Sequence, residues 1–464
     1  MAKIHEKLKC SKWTLKNKRY ICQQTGNACC GCLSDISCPT VDLILSETQK
    51  EKQKIYIDDI KNSIKKHKAA LVLGAGISKP SNLPLWSELI AKMMGYAIQY
   101  SVVSRAHQKV SDSSVSERAS IIKMANQLIK GKLSVLSKVN ALEAAEYVAQ
   151  FFDDETAGQK IRNGLPETSI KTMIYRILDD SYSPEHLLRK ECEKGCAKSV
   201  VYSTILNSLE LGGSLVDTVR TTGADNIAKL NTMFAVSYLL SHDNGIRQAM
   251  TYNYDPLVQE HMIDLYGIGE NCVYTHPGMW NVDAGPLRDD VREVFHVHGF
   301  VAGERHVKRN ASVSFPTVSG PLVLSEDSYY RIERREAYNW SSSIQSYFLN
   351  KFNCVFVGFS AEDYNFRRIL RQIGEEDSLA GKPHYLILTI DDWIRNTYED
   401  VCHACLLESK RVSEATMEQV SHDTVVLLQY ILQCRADYWD RFNIKPIWVT
   451  VKEIPELLTS LLDG

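Results

Sequence analysis

The sequence has no run of about 18 apolar residues, so no segment of it could cross a bilayer as a helix. Its first residues, MAKIHEKLKCSKW, contain no apolar stretch of a secretory leader, and we expect a cytoplasmic protein without a membrane partner. The 13 cysteines are odd in number and scattered, which does not indicate a disulfide framework. A net charge of -2 gives no general attraction to nucleic acid, so such a partner would require a local basic patch.

The 464 residues, 44% hydrophobic and 24% charged, are typical of a globular protein with more than one structural unit. The first 20 residues are strongly basic, which indicates either a solvated terminus or an arm that binds a partner or nucleic acid. We predict a basic, cysteine-containing arm over 1–50, a Rossmann domain over 51–86 and 249–395, a helical insertion over 87–248, and a C-terminal helix and strand over 396–464 that complete the domain.

Short apolar runs without alternation predict strands that are buried on both faces of a parallel sheet. The first is Ala69–Leu73, preceded by an amphipathic helical pattern over 55–68. Because several such runs lead into helical patterns, the predicted fold class is α/β, a Rossmann-like doubly wound parallel sheet with a large helical insertion. The later strand-like runs are 249–252, 272–274, 293–297, 354–357, 384–389 and 446–451, with one more possible strand at 199–203.

A glycine-rich turn, Gly74-Ala75-Gly76-Ile77-Ser78, follows the first strand. Glycine lets a backbone approach a pyrophosphate closely, and a nearby helix start supplies amide donors. The third glycine of the dehydrogenase pattern is missing, so a purely structural turn is the alternative interpretation.

The segment Thr251-Tyr252-Asn253-Tyr254-Asp255-Pro256 marks a second change from strand to helix. Pro256 suits the first helical position and Asp255 can cap the helix. Asn253 would then lie at the carboxyl end of a strand, where doubly wound folds bind ligands. An ordinary capped turn accounts for Asp255 and Pro256 but not for Asn253.

The segment His296-Val297-His298-Gly299 contains two histidines that strand alternation would place on one face. A zinc site is one interpretation, although no third ligand is evident, and a structural role is another. We favour proton transfer by His298, because imidazole titrates near neutral pH and Gly299 leaves room for a ligand.

A fourth segment, Val355 to Ser360, repeats the pattern of a buried strand followed by a small-residue turn at Gly358. The order of the four segments resembles the sirtuin family: GAGIS, then an asparagine in TxNxD, then His-Gly, then Gly-x-Ser. The likeness includes Pro84 and Trp86, which fall where sirtuins carry a proline and an aromatic residue covering the nicotinamide end. Leu85 and Ser87 replace the aspartate and arginine of that family.

The zinc ribbon of protein-deacylating sirtuins is not evident, because only Cys402 and Cys405 have the CxxC spacing. A separate cluster of cysteines in the arm is an alternative zinc site. Its members are Cys29, Cys30, Cys32 and Cys38.

The sequence is more similar to the sirtuin-like NADases of bacterial anti-phage systems, such as the Thoeris effector and the sirtuin-like partners of HerA-type ATPases. The segment 321–329 adds to this resemblance, which covers about 65–395. It implies NAD+ as the substrate, no required metal, abortive infection as the biological role, a homo-oligomer, and a partner such as a HerA-type ATPase.

The resemblance also implies roles for individual residues. Asn253 and His298 would be catalytic, Asn253 holding the nicotinamide ribose and His298 acting as general base, while Asp255 would orient the carboxamide. The implied NAD-binding residues are Gly74, Ala75, Gly76, Ser78, Pro84, Trp86, Thr251, Gly358 and Ser360. A protein deacylase or ADP-ribosyltransferase, and a non-catalytic NAD or ADP-ribose sensor or scaffold, are the alternative functions.

Overall fold

The apolar run Ala69–Leu73 forms the middle strand of a seven-stranded parallel sheet in a computed structural model of the chain. The strands are β1 (Trp13–Lys16), β2 (Arg19–Cys22), β3 (Ala69–Leu73), β4 (Gln248–Thr251), β5 (Val273–His276), β6 (Arg292–His296), β7 (Asn353–Val357), β8 (His384–Thr389) and β9 (Ile444–Val449). The structure describes residues 13–16, 19–22, 45–81, 83–95, 144–146, 148, 174, 184–195, 204–205, 207–208, 214–276, 290–301, 322–324, 340–360, 363–375, 382–390 and 413–463.

The helices lie between the strands and at the carboxyl terminus. They are α1 (Glu47–Lys65), α2 (Pro184–Gly195), α3 (Leu215–Thr222), α4 (Ala224–Ala228), α5 (Thr232–Ser241), α6 (Leu257–Asp264), α7 (Trp340–Lys351), α8 (Tyr364–Glu375), α9 (Glu414–Asp440) and α10 (Glu453–Ser460). Residues 86–95 are also helical. Within the described ranges, no helix combines the length and the apolar character needed to span a bilayer.

The strand order of the sheet is β5-β6-β4-β3-β7-β8-β9, and every neighbouring pair is parallel. β1 and β2 form a separate antiparallel pair. The chain places β4, β5 and β6 on one side of β3, with β6 between β4 and β5, and then crosses to the other side of β3 with β7. This arrangement confirms the predicted Rossmann-like α/β fold and places the topological switch point between β3 and β7.

Burial on both faces explains why the strands lack alternation of polar and apolar residues. In β3, Leu71 and Leu73 pack into the core on one face, while Ala70 and Val72 pack into the core on the other. The first core is covered by α1, α5, α6 and α10, and the second by α7, α8 and α9. Helices of the described ranges therefore cover both faces of the sheet, and ligands bind parallel sheets at the carboxyl end.

The region between β3 and β4 contains helices wherever the structure describes it. A third core joins the helical residues 86–95 to the end of β4, through contacts among Leu89, Ile90, Met93 and Tyr254. The possible strand at 199–203 lies outside the described residues, as do most of the 1–50 arm and the segment 325–329.

Candidate functional site

Four neighbouring strands, in the order β6-β4-β3-β7, end at the same edge of the sheet. Because they are parallel, the segments that follow them lie side by side. These segments are the four that the sequence singled out: the glycine turn after β3, the asparagine segment after β4, the histidine segment after β6 and the glycine-serine turn after β7.

The turns after β3 and β7 contact each other through their backbones. Gly76 N–H donates to Gly358 O at 2.8 Å, and Gly74 N–H donates to Val357 O at 3.1 Å. A Cβ atom on Gly76 would lie 2.7 Å from Gly358 O, and one on Gly358, whose φ is 62°, would lie 2.3 Å from Ile77 N. The close approach of the two turns is enough to explain why both positions are glycine. The glycines therefore do not by themselves identify a phosphate site.

Asn253 and Ser78 join the segments after β4 and β3. Asn253 Nδ2 donates to Ser78 Oγ at 3.1 Å, and the Asn253 backbone N–H donates to Thr251 Oγ1 at 3.1 Å. Asn253 is only 7% exposed and Ser78 2%. Burying polar groups is costly unless they are hydrogen-bonded, so these bonds fix the amide of Asn253 in one orientation.

His296 contacts the backbone of Asn253 through its imidazole ring. Its Nδ1 lies 2.8 Å from Asn253 O and its Nε2 lies 2.7 Å from Gln259 Nε2. The carbonyl can only accept and the amide NH₂ can only donate, so Nδ1 carries the proton and Nε2 accepts. Burial lowers the pKa of His296 to about 4, which keeps the ring neutral. His296 therefore positions Asn253 rather than exchanging protons.

His298 lies in different surroundings, because β6 ends at His296 and the chain turns at Gly299, whose φ is 94°. The ring of His298 meets the ring of Tyr252 edge-on, with centroids 4.7 Å apart. Its Nε2 lies 3.8 Å from Asp363 Oδ2. Burial lowers the pKa of His298 and the Asp363 carboxylate opposes this effect, so the ring is a neutral base at neutral pH.

Asp255 Oδ1 accepts a hydrogen bond from Leu257 N–H at 3.2 Å. The helix α6 begins at Leu257 with Pro256 as its N-cap residue, one position later than predicted. Burial raises the pKa of Asp255 to about 6, although the backbone hydrogen bonds oppose the effect. One oxygen of this carboxyl group thus stabilises the turn before α6, in agreement with the predicted capping role of Asp255.

Tyr254 and Trp86 link the site to the helical residues 86–95. The Tyr254 hydroxyl donates to Val323 O at 2.7 Å, and Trp86 packs against the third core, which contains Tyr254. Trp86 and Pro84 are half-buried, whereas Ser360, three residues after β7, is exposed. The two tyrosines differ: Tyr252 packs in the core below the sheet edge, and Tyr254 faces the third core.

Sequence reasoning did not identify Gln259 and Asp363 as parts of the site, and it left open whether Tyr252 contacts a ligand or the core. Gln259 and Asp363 contact residues that are 37 and 65 positions away in the chain. The only signal in the sequence at Asp363 is its place before a helical pattern. That signal indicates a helix cap rather than a functional site.

Among the described residues, no group of three or more His, Cys, Asp or Glu side chains could hold a metal ion. The cysteines at 29, 30, 32 and 38 and the pair at 402 and 405 lie outside these residues. The two histidines proposed as metal ligands have other partners: His296 contacts Asn253 and Gln259, and His298 contacts Tyr252 and Asp363.

Residues 247–413 match the model of a known protein family, the SIR2-like domain. The matched range holds five of the seven strands of the sheet, from β4 to β8, and includes Asn253, Asp255, His298 and Asp363. The glycine turn after β3 precedes it. No curated protein matches the chain. Residues 247–413 are therefore similar to a Sir2-type domain, a family that is in general enzymatic and uses NAD+.

Proposed function

We propose that the chain is an NAD+ hydrolase that cleaves the nicotinamide-ribose bond to give nicotinamide and ADP-ribose. The observation that carries the proposal is the buried, hydrogen-bonded Asn253, which follows β4, with the neutral base His298 in the turn that follows the neighbouring strand β6. These polar groups lie inside the range that matches the SIR2-like domain.

In the proposed reaction, Asn253 holds the nicotinamide ribose and Asp255 orients the carboxamide. The C1′–N bond breaks and its electron pair leaves with nicotinamide, while oxygen of a water molecule bonds to C1′. His298 accepts the proton that the water or a ribose hydroxyl releases. Positive charge develops on the ribose, so oriented dipoles and a site with little water favour this step.

The test is NAD+ consumption by purified protein, with nicotinamide followed by chromatography and candidate partners added in turn. Asn253→Ala and His298→Ala should each lower turnover at least about 100-fold, the usual contribution of a positioned dipole or general base. His422→Ala is the matched control, because His422 is an exposed histidine on α9. An added acylated protein or ADP-ribose acceptor should not be required.

Each other outcome identifies a different function. Turnover that requires an acylated or acceptor protein would show a deacylase or an ADP-ribosyltransferase. A protein that binds NAD+ and leaves it intact in every assembly would be a sensor or scaffold.

We further propose that the protein is an anti-phage effector that causes abortive infection and acts in the cytoplasm as a homo-oligomer under the control of a partner, such as a HerA-type ATPase. Depletion of NAD+ kills the host cell, so an effector of this kind must stay inactive until it is triggered. Sedimentation of the protein alone, together with the NAD+ assay above, tests the proposal. A monomer that hydrolyses NAD+ without any partner would contradict it.

A further inference from the structure

Asp363 occupies the junction between the turn after β7 and the helix α8. Its Oδ1 accepts a hydrogen bond from Phe366 N–H at 2.8 Å, which is the bond of a helix N-cap. Its second oxygen, Oδ2, lies 3.8 Å from Nε2 of His298. Both side chains are largely buried, with exposed fractions of 19% for Asp363 and 10% for His298. The cap therefore holds one oxygen of the carboxylate and leaves the other beside the imidazole.

The orientation of His298 is fixed from a second direction. Its ring stands at 85° to the ring of Tyr252, and the Tyr252 hydroxyl donates to Gln345 Oε1 on α7 at 2.6 Å. The imidazole is thus held between the aromatic ring at the end of β4 and the carboxylate at the start of α8.

Asp363, just before α8, and Tyr252, just after β4, are titratable groups that lie beside His298. Burial raises the pKa of Tyr252 well above 10, so this tyrosine is neutral and Asp363 is the charged neighbour. Burial raises the pKa of Tyr254 as well, and the Asp363 carboxylate adds to this effect. Its field therefore reaches both strand segments that carry the proposed catalytic residues.

We propose that Asp363 is a positioning residue, which orients His298 and stabilises its protonated form during hydrolysis; the inference rests on the function proposed above. When the water or ribose O–H bond breaks, its proton moves to His298 and the imidazole becomes a cation. The carboxylate 3.8 Å away then forms an ion pair with it. That distance exceeds a hydrogen bond, and such contacts often shorten when substrate binds.

A capping role without influence on His298 is the competing explanation. Asn and Ser are equally good N-caps, so Asp363→Asn and Asp363→Ser keep the cap and remove the charge. Asp423→Asn is the matched control, because Asp423 lies 3.5 Å from His422 in an exposed pair on α9.

The experiment measures the pH dependence of kcat/KM and the titration of the His298 ring by NMR, assigned with a His298→Gln variant. Loss of the carboxylate should lower the pKa of His298 by about one pH unit in both cap-preserving variants, as expected for an opposite charge at this distance. The acid limb of the profile should move to lower pH, and the plateau should fall about tenfold. Asp423→Asn should change neither.

A His298 titration that is the same in wild type and Asp363→Asn would overturn the inference, even if activity falls. A fall in activity at every pH without movement of the acid limb would also overturn it and leave the cap as the role of Asp363. If wild-type protein in its active assembly hydrolyses no NAD+, the proposed function fails, while the NMR titration still decides whether the carboxylate and the imidazole are coupled.

Discussion

At the scale of single residues, burial shifts the pKa values of an acid and a base near Asn253 in opposite directions. The pKa of Asp255 rises to about 6 and that of His296 falls to about 4, with burial as the largest cause in both. Each shift favours the uncharged form. Asn253 lies two positions before Asp255, and its carbonyl oxygen lies 2.8 Å from His296 Nδ1, so both of these neighbours are uncharged between about pH 4 and about pH 6.

Asp255→Asn should stabilise the protein at alkaline pH. Because the folded pKa of Asp255, about 6, is above its ordinary 3.8, the stability it contributes is present below 3.8 and is lost as the pH rises through about 6. The gap corresponds to about 3 kcal/mol at most, and Asn keeps the bond to Leu257 N–H. Urea unfolding at pH 8 should show the gain, which should vanish at pH 4. Equal stabilities at pH 8 would contradict the pKa.

The sequence revealed the residues of the site that follow strands, but not the residues that hold them. Asn253 and His298 could be predicted because each comes directly after an apolar run, where a parallel sheet binds ligands. The supports Gln259 and Asp363 depend on contacts between elements that are distant in the chain. Such contacts leave no local pattern, so the structure was needed to find them.

At the scale of elements, the turns after β3 and β7 fit together through glycine backbones, and this fit should be intolerant of a methyl group. In Gly358→Ala the new Cβ would lie 2.3 Å from Ile77 N, where only backbone movement can relieve the contact. The left-handed φ of 62° adds about 1–2 kcal/mol. We expect urea unfolding to show a loss well above 2 kcal/mol, together with weaker NAD+ binding.

Gly267→Ala is the matched control for this prediction. Gly267 also has a left-handed φ, of 69°, but a Cβ there would meet no atom within 4 Å. Its loss should be limited to about 1–2 kcal/mol of backbone strain. Similar losses in the two variants would show that the contact between the turns is loose.

Element boundaries were predictable where a strand is buried on both faces. β8 has the predicted bounds, His384–Thr389, because its apolar run is uninterrupted. β9 begins at Ile444, two residues before the predicted 446. The helix α1 begins at Glu47 rather than near 55, because its first turns are polar and depend on a capping box between Ser46 and Gln49.

At the scale of the whole molecule, buried histidines make the fold sensitive to acid. Burial lowers the pKa of His261 to about 3 and those of His296 and His384 to about 4. Since these folded values are below the ordinary 6.5, their stabilising contribution is present above pH 6.5 and is lost as the pH falls through about 4. The three losses add up over the same pH range, because each of these histidines must remain neutral in the folded state.

Urea midpoints should therefore fall steeply between pH 6.5 and pH 4, and His384→Gln should make the decline shallower. His384 Nδ1 accepts a hydrogen bond from Cys354 N–H at 3.1 Å, and a Gln amide oxygen can replace that acceptor. The variant should recover about 3 kcal/mol of the acid-dependent loss, whatever its stability at pH 7.5. An unchanged slope would show that His384 titrates normally.

The overall architecture could be predicted from the alternation of apolar strands and helical patterns, which is typical of a doubly wound sheet. The position of β5 outside β6 could not, because strand order depends on crossovers rather than on any local pattern. The association of residues 86–95 with Tyr254 likewise arises only when the chain folds.

The contact between Gly74 and Val357 also determines when, during synthesis of the chain, the site can form. The two residues pair directly, yet the ribosome adds 282 residues between them. Until β7 emerges, β3 has a bare edge, and a nascent chain that already carries Asn253 and His298 still lacks the turn after β7 and Asp363. Contacts this distant in sequence form late, so the site is completed only after β7 and Asp363 have emerged. A ribosome that stalls before that point releases a fragment without a complete site.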